Sequence, residues 1–353
     1  MAADELIPDP GVLHEAPLLE YQGYTGAQRT GGAAVVPWRA EWLEADRSGV
    51  RAVEAVASLR AEKFAQCLVH LQKSRSATWL DLGDAWQRLE LGGRLLLCGG
   101  NELGVVSAVK RLAQQLDQRA RVLANRRHAR IVLFHKDEGA GPEVPGSTRV
   151  PLPMPDGEMR SLEAAPGVFS AKRLDVGTEL MLEALAGQPA PKQVLDIGCG
   201  IGALGLAALA TWPDARATLL DGDARAVACA RRNAQTLGVS ERCDLVWWDA
   251  REPCPGIDFD LILLNPPFHT GKHVDLAPAR AMFQRVGEAL APRGRALVVA
   301  NRTLPWERDL SDLGTLERLR ETRGYKLLSL SRRSRSESSR SRQRRGSRSA
   351  GSG

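Results

Sequence analysis

Val194-Leu195-Asp196-Ile197-Gly198-Cys199-Gly200-Ile201-Gly202-Ala203-Leu204-Gly205 decides the fold of this chain. An apolar run carries one acid, passes into a glycine-dense turn, and resumes as an alanine- and leucine-rich helical pattern through Leu209. The pattern predicts a buried strand, a tight turn and a helix start, the unit with which a doubly wound sheet holds a nucleotide-like ligand. Glycine lets the backbone take positive φ and lets a ligand approach without meeting a Cβ. A plain strand-to-helix turn has no need of three glycines on alternate positions, each of which costs backbone entropy on folding.

Spacing alone leaves the ligand open. Gly198, Gly200 and Ala203 satisfy the dinucleotide pattern G-x-G-x-x-G/A, and Asp221 lies about twenty residues on, where a ribose-binding acid belongs. Asp196 points the other way: its carboxylate suits a cation or surrounding hydrogen-bond donors, and would repel a pyrophosphate. Nothing after Asp221 suggests a nicotinamide site, whereas Asn265-Pro266-Pro267-Phe268 suggests methyl transfer. The ligand is therefore read as S-adenosylmethionine, which carries ammonium and sulfonium charges and no phosphate.

Composition sets the outer bounds. A chain of 353 residues has room for two domains with separate cores, and 43% hydrophobic with 25% charged residues is a soluble globular composition. No apolar run approaches the roughly 20 residues that span a bilayer. Met1 is followed by Ala, Asp and Glu, so no secretory signal is expected, and the six scattered cysteines form no C-x-x-C pair or metal spacing. Reduced thiols and a cytoplasmic location follow as expectations. The net charge of +6 misleads, because Ser331–Gly353 holds eight arginines and one acid; the chain before it is close to neutral. Basicity is a property of the tail. Its Ser/Arg repeats cannot bury enough surface to fold, and could clamp RNA phosphates without sequence preference.

Taken in order, residues up to about Val36 read as irregular. Phe64–His70 reads as a strand, Asp84–Leu89 as helical, Leu95–Cys98 as a short strand, Val105 to about Leu116 as a helix, and Ile131–Phe134 as another strand. Gly139 to Pro166 holds six prolines and reads as a linker. Beyond it come helical spacing at Leu174–Leu185 and strands at Thr218–Leu220, Leu245–Trp248, Phe259–Leu264, Ala296–Ala300 and Tyr325–Leu330. Asp223 is placed as N-cap of a helix Ala224–Leu237. Strands alternating with helices predict an α/β fold with mostly parallel sheets and ligands at the carboxyl edge.

Asn265-Pro266-Pro267-Phe268 follows an apolar strand directly. Proline has no N–H to continue a ladder, so pairing stops and the four residues sit at the sheet's carboxyl edge, beside the cofactor turn. They suit a planar exocyclic amine, whose lone pair is delocalised into its ring. The Asn265 side-chain oxygen and the Pro266 carbonyl can each accept one N–H and draw the nitrogen towards a tetrahedral state, while Phe268 offers a stacking face. Catalysis is then orientation and desolvation, without metal or covalent intermediate. His269 and His273 could approach a metal, but no third ligand is evident, so a base contact or a solvated loop is preferred. Asp249, after Val246-Trp247-Trp248, is a candidate for the adenine amine.

With these residues in place the chain resembles the ribosomal RNA guanine-N2 methyltransferases of the small-subunit methyltransferase C type, together with the G-type enzymes that are their relatives on the large ribosomal RNA. The resemblance covers most of residues 60 to 330. It rests on Pro166-Gly167-Val168-Phe169-Ser170 with Leu174-Asp175-Val176-Gly177-Thr178, the Asp196 turn, Asn265-Pro266-Pro267-Phe268-His269, Val299-Ala300-Asn301-Arg302-Thr303-Leu304-Pro305-Trp306 and Gly324-Tyr325-Lys326. Lys73-Ser74-Arg75 and Gly99-Gly100-Asn101-Glu102-Leu103-Gly104 echo the family's first domain, a duplicated methyltransferase fold that has lost its cofactor site and helps place RNA. The Arg/Ser tail, and Trp306 where tyrosine is expected, depart from the family pattern.

The resemblance implies two tandem Rossmann-like methyltransferase domains: a degenerate one over 1–145, a catalytic one over 146–330, and a disordered tail over 331–353. It implies that Asp196, Gly198 and Gly200 line the methionine part of the cofactor, that Asp221 binds the ribose and Asp249 the adenine. The cofactor set is completed by Cys199, Gly202, Gly222 and Asn265. Asn265, Pro266 and Phe268 form the catalytic set, and Pro267, Phe268, His269 and Phe169 the substrate set. The expected partner is ribosomal RNA or the small ribosomal subunit, met by a monomer with no metal and no membrane. Adenine-N6 and glutamine-N5 methyltransferases carry close variants of Asn-Pro-Pro-Phe and stay open as alternatives, as does a non-catalytic RNA-binding or ribosome-assembly factor.

Overall fold

Apolar runs buried on both faces build two seven-stranded sheets of one design. The computed structural model describes residues 4–9, 11–154, 157–169, 173–266, 276–322 and 324–332. Described residues of Met1–Arg149, Glu163–Lys172 and Gly222–Ala228 form one compact unit, and those of Val150–Leu162, Arg173–Asp221 and Cys229–Gly353 the other.

The first sheet contains β1 (Leu18–Tyr21), β2 (Ala33–Val35), β3 (Arg51–Val53), β4 (Phe64–His70), β5 (Leu89–Gly100), β6 (Arg121–Arg126) and β7 (Ala129–His135), in the order β3-β2-β1-β4-β5-β7-β6. The first five strands of that order are parallel, and β7 and β6 close the edge antiparallel. Its helices include α1 (Thr25–Thr30), α2 (Arg39–Arg47), α3 (Arg75–Arg88) and α4 (Val105–Leu116). Next along the chain comes a two-stranded sheet of β8 (Thr148–Pro153) and β9 (Met159–Ala164).

The second large sheet repeats the order with β10 (Gln193–Ile197), β11 (Arg216–Asp221), β12 (Cys243–Trp247), β13 (Phe259–Leu264), β14 (Leu290–Asn301), β15 (Thr315–Glu321) and β16 (Tyr325–Ser331): β12-β11-β10-β13-β14-β16-β15. Again only the last two strands are antiparallel. Here α5 (Val176–Leu185), α6 (Ala203–Thr211), α7 (Ala224–Thr236), α8 (Ala277–Ala289) and α9 (Trp306–Ser311) supply the helices. Val194, Leu195, Ile197 and Ile262 to Leu264 are fully buried, as both faces of a parallel sheet require. Against them α8 and α9 pack Phe283 edge-on to Trp306, with ring centroids 5.0 Å apart. Arg242 closes the far end of α6 by donating to the carbonyl of Leu209 in its last turn, which a helix end leaves open, and to those of Trp212 and Ala215 just beyond it.

Two sequence expectations fail. Residues before Val36 are not irregular: β1, α1 and β2 lie there, and β1 is central to its sheet. Glu20 interrupts the apolar run of β1, yet it is fully buried, with Oε2 accepting from Ala27 N at 2.8 Å and Oε1 paired to His70 Nε2 at 2.7 Å. The proline-rich stretch after Gly139 is not all linker either. In β8, Val150 and Leu152 are buried while Pro151 and Pro153 alternate outward, a placement that a two-stranded sheet tolerates. The edge strands β6 and β15 are not legible in the sequence, because their exposed arginines and glutamates hide the strand period while guarding the edge.

Candidate functional site

The site begins where β10 ends. Gly198, Gly200 and Gly202 take φ of 73°, 56° and 87°, values a side chain would strain, and they turn the chain into α6. The turn is clamped to the end of β11: Gly198 N and Cys199 N donate to Leu220 O at 2.8 and 2.9 Å, and Gly200 N to Asp221 Oδ2 at 2.8 Å. Asp196 lies beneath, with Oδ2 accepting from Gly205 N, the third amide of α6, at 2.8 Å. These contacts decide between the two ligands that spacing left open. A pyrophosphate needs loop and helix-start N–H groups aimed at it, and here four of them are already satisfied by protein oxygens.

The loop does leave room and one unsatisfied acceptor. A Cβ at Gly200 would meet nothing within 4 Å, and one at Gly198 would meet only Met282 Cε, at 3.8 Å. Asp196 Oδ1 is buried with no hydrogen-bond partner. Burial pushes the Asp196 carboxyl up to about 7, with Asp221 adding to the rise and the Gly205 N–H opposing it. An open cradle over a buried acid that lacks a donor fits the ammonium end of S-adenosylmethionine. The Cys199 thiol is buried beside both acids and its pKa stands well above the ordinary thiol value, so it is no nucleophile.

The β10–β13 register brings the second half of the site alongside. Ile197 pairs with Leu264, so Gly198 and Asn265 leave the sheet next to each other. Asn265 Nδ2 donates to Asp175 Oδ2 and to Thr178 Oγ1, both at 3.0 Å, while Asn265 Oδ1 is buried without a partner. Asp175 is the N-cap of α5 and accepts from Gly177 N at 2.9 Å and Thr178 Oγ1 at 2.5 Å. Pro266, the next residue after Asn265, is buried.

Other expected residues are spread more widely. Asp249 Oδ1 is held by Arg251 Nε at 2.6 Å, so an adenine amine would meet an acid already paired to a guanidinium. Gly222 belongs to the first unit, where its carbonyl accepts from Arg39 N at 2.8 Å; Phe169 belongs to it too and is 63% exposed. Pro267, Phe268 and His269 lie outside the described residues, as do His273 and the tail from residue 333. Among the described residues no group of His, Cys, Asp and Glu could hold a metal, and no helix is long and apolar enough to cross a membrane. Sequence reasoning assigns no role to Asp175, Gly177, Thr178 or Met282. An acid followed three residues on by threonine is a legible helix start, but its reach to Asn265 across the fold is not.

Three comparisons bear on the family and the fold. The methyltransferase small domain family matches residues 160–329. The ribosomal RNA small subunit methyltransferase C of Pseudomonas entomophila is 36% identical over 273 residues, covering 76% of this chain and 80% of the relative. That of Pseudomonas aeruginosa is 34% identical over 272 residues, with the same shares. Among solved structures, the 16S rRNA N2 methyltransferase RsmC of T. thermophilus, in complex with AdoMet and guanosine, aligns with a TM-score of 0.82. It covers 94% of this chain and 92% of its own, at 24% identity, and so speaks for the two-domain fold. A clamped glycine turn over a buried acid, an asparagine presented beside it, and identity above 30% along most of both chains lead to one assignment: this chain belongs to the ribosomal RNA small subunit methyltransferase C family.

Proposed function

We propose that the chain transfers a methyl group from S-adenosylmethionine to the exocyclic N2 amine of a guanosine in 16S-type ribosomal RNA. The observation that carries this reading is the pair of buried, partnerless acceptors, Asp196 Oδ1 and Asn265 Oδ1, at the ends of adjacent parallel strands. When bound, the cofactor supplies an electrophilic methyl carbon on a sulfonium. Asp196 would accept from its ammonium, Gly198 and Gly200 would give it room, Cys199 and Gly202 would hold the shape of the turn around it, and Asp221 and Asp249 are assigned to the nucleoside end. Asn265 Oδ1 accepts one N–H of the target amine and the Pro266 carbonyl the other, so that the nitrogen lone pair turns out of the base plane towards the methyl. Transfer of the methyl from the sulfonium to this nitrogen would leave the neutral thioether, and the proton shed by the nitrogen would pass to bulk solvent as the product leaves. Catalysis is thus positioning and exclusion of water. Pro267, Phe268 and His269 are assigned to the base and its surroundings.

Residues 1–145, which lie within the first unit, are assigned to RNA placement, and the protein to a cytoplasmic monomer acting on ribosomal RNA or the small ribosomal particle. Incubation with methyl-labelled cofactor and unmodified ribosomal RNA, followed by nucleoside mass spectrometry, is expected to place label on guanine N2. Label on adenine or on protein would reject the assignment.

A further inference from the structure

Asn265 can serve an amine only if its amide presents oxygen, and the same side chain turned over would present two N–H groups. The surroundings remove that ambiguity. Asp175 is an acceptor on both oxygens, and Thr178 Oγ1 gives its proton to Asp175 Oδ2 at 2.5 Å, which leaves a lone pair for Asn265. Both hydrogens of Asn265 Nδ2 are therefore spoken for, at 3.0 Å each. A flipped amide would set Oδ1 against the Asp175 carboxylate, acceptor against acceptor. Gly177 completes the arrangement: a Cβ there would stand 3.1 Å from Asn265 Oδ1 and 2.7 Å from Val299 Cγ1, crowding the oxygen that faces the substrate.

We infer that Asp175 and Thr178 are positioning residues for the methyl transfer: they lock the Asn265 amide so that the site accepts an N–H and refuses a ligand carbonyl. On guanine, such a fixed acceptor selects the N2 amine and rejects the O6 side of the same ring. The inference rests on the functional reading above and adds to it the device that chooses the amine.

The test is a double-mutant cycle on the full chain. Asp175→Asn keeps the N-cap of α5, since asparagine caps as well as aspartate, so the melting temperature should stay within a few degrees. It nevertheless lets the side chain at 175 offer N–H to Asn265 and turn the amide. A hydrogen bond to a charged group, converted to a rate, predicts a loss in kcat of about ten- to hundredfold, with KM for S-adenosylmethionine within about twofold. Thr178→Val should lose about three- to tenfold and Thr178→Ser should recover it. Guanosine affinity, measured by calorimetry in the presence of S-adenosylhomocysteine, should weaken in Asp175→Asn in step with kcat. In an Asn265→Ala background Asp175→Asn should cost less than about twofold more, because nothing is left to orient. Additive losses, or wild-type turnover and guanosine affinity in Asp175→Asn, would overturn the positioning role. The cycle is run on whichever amine the wild-type protein labels; label away from guanine N2 overturns the functional reading, and additivity overturns this one.

Discussion

Replacing Asp196 by asparagine separates the cofactor reading from a merely structural one. The substitution is isosteric, and an amide oxygen can still accept from Gly205 N, whose distance to Oδ2 is 2.8 Å. What changes is the second position: the buried, partnerless Oδ1 becomes an NH2 group, and the site loses its negative charge. A hydrogen bond to a charged group contributes about 1.5–3 kcal/mol, so cofactor affinity should fall by roughly ten- to more than a hundredfold. The pH dependence follows the same acid. In the free protein burial holds the Asp196 carboxyl up to about 7, whereas the ionised form is the one that binds an ammonium. Affinity should therefore rise with pH from about 5.5 towards 7 and release a proton on binding, and Asp196→Asn should abolish both effects. The linkage to stability has the opposite sign. Because this pKa is raised above the unfolded value of 3.8, the folded protein keeps a proton that the unfolded chain has lost. Asp196 therefore costs stability increasingly as pH rises from about 4 through 7. At a pH of about 8 the variant should melt no lower than wild type, and higher if the acid is strained. Calorimetry with S-adenosylmethionine in buffers of different ionisation enthalpy, alongside thermal unfolding, reads all of this. Unchanged affinity with a lowered melting temperature would refute the reasoning, because Asp196 would then be a cap for α6 and nothing more.

Asn265→Ala should lower turnover by at least about a hundredfold while calorimetric cofactor affinity stays within a few-fold, as removal of a transition-state contact requires. Gly205→Ala should destabilise the protein by about 1–3 kcal/mol in denaturant titration. The new Cβ would lie 2.7 Å from Leu219 Cδ1, and that clash outweighs the helix propensity alanine brings. Glu20→Ala leaves His70 buried without its 2.7 Å partner and should cost roughly 3–5 kcal/mol in the same titration, with one cofactor site per chain before and after.

The central strands of the second large sheet are the more legible because they are dry on both faces. Phe259–Leu264 can be read from an apolar run that only Asp260 interrupts, and a helix from Val105 to about Leu116 in the first unit from its helical spacing. The glycine turn is legible because positive φ leaves few residue choices. Strands that carry a charge are another matter. β1 holds Glu20, β15 alternates glutamate with arginine, and β8 contains two prolines; each is a strand only through neighbours far along the chain. The same limit applies within the site. Asp196 and Asn265 announce themselves by what surrounds them in sequence, whereas Asp175 and Thr178 act on a side chain some ninety residues away, through bonds that exist only after α5 docks.

The repeated strand order allows the two sheets to be compared residue by residue, each within its own unit. In β10 and β13, Asp196 pairs with Leu263 and Asn265 follows two residues later; in β1 and β4, Glu20 pairs with Leu68 and His70 follows two residues later. Glu20 thus stands where Asp196 stands, and His70 where Asn265 stands. The acids even share a habit: Glu20 Oε2 accepts from Ala27 N in α1, and Asp196 Oδ2 from Gly205 N in α6, both at 2.8 Å. They part at the remaining oxygen, which in Glu20 is taken by His70 and in Asp196 is left open. One methylene more on the acid and an imidazole in place of an amide close a buried ion pair where the second unit, on the proposed function, takes a ligand. The room is missing from the first unit as well, where Gln22-Gly23-Tyr24 follows β1 and a Cβ at Gly23 would collide with His70 itself, at 2.6 Å from Nε2. Each unit has therefore kept a buried acid that accepts from the third amide of a helix, and only the second unit leaves that acid's other oxygen without a partner among the described residues.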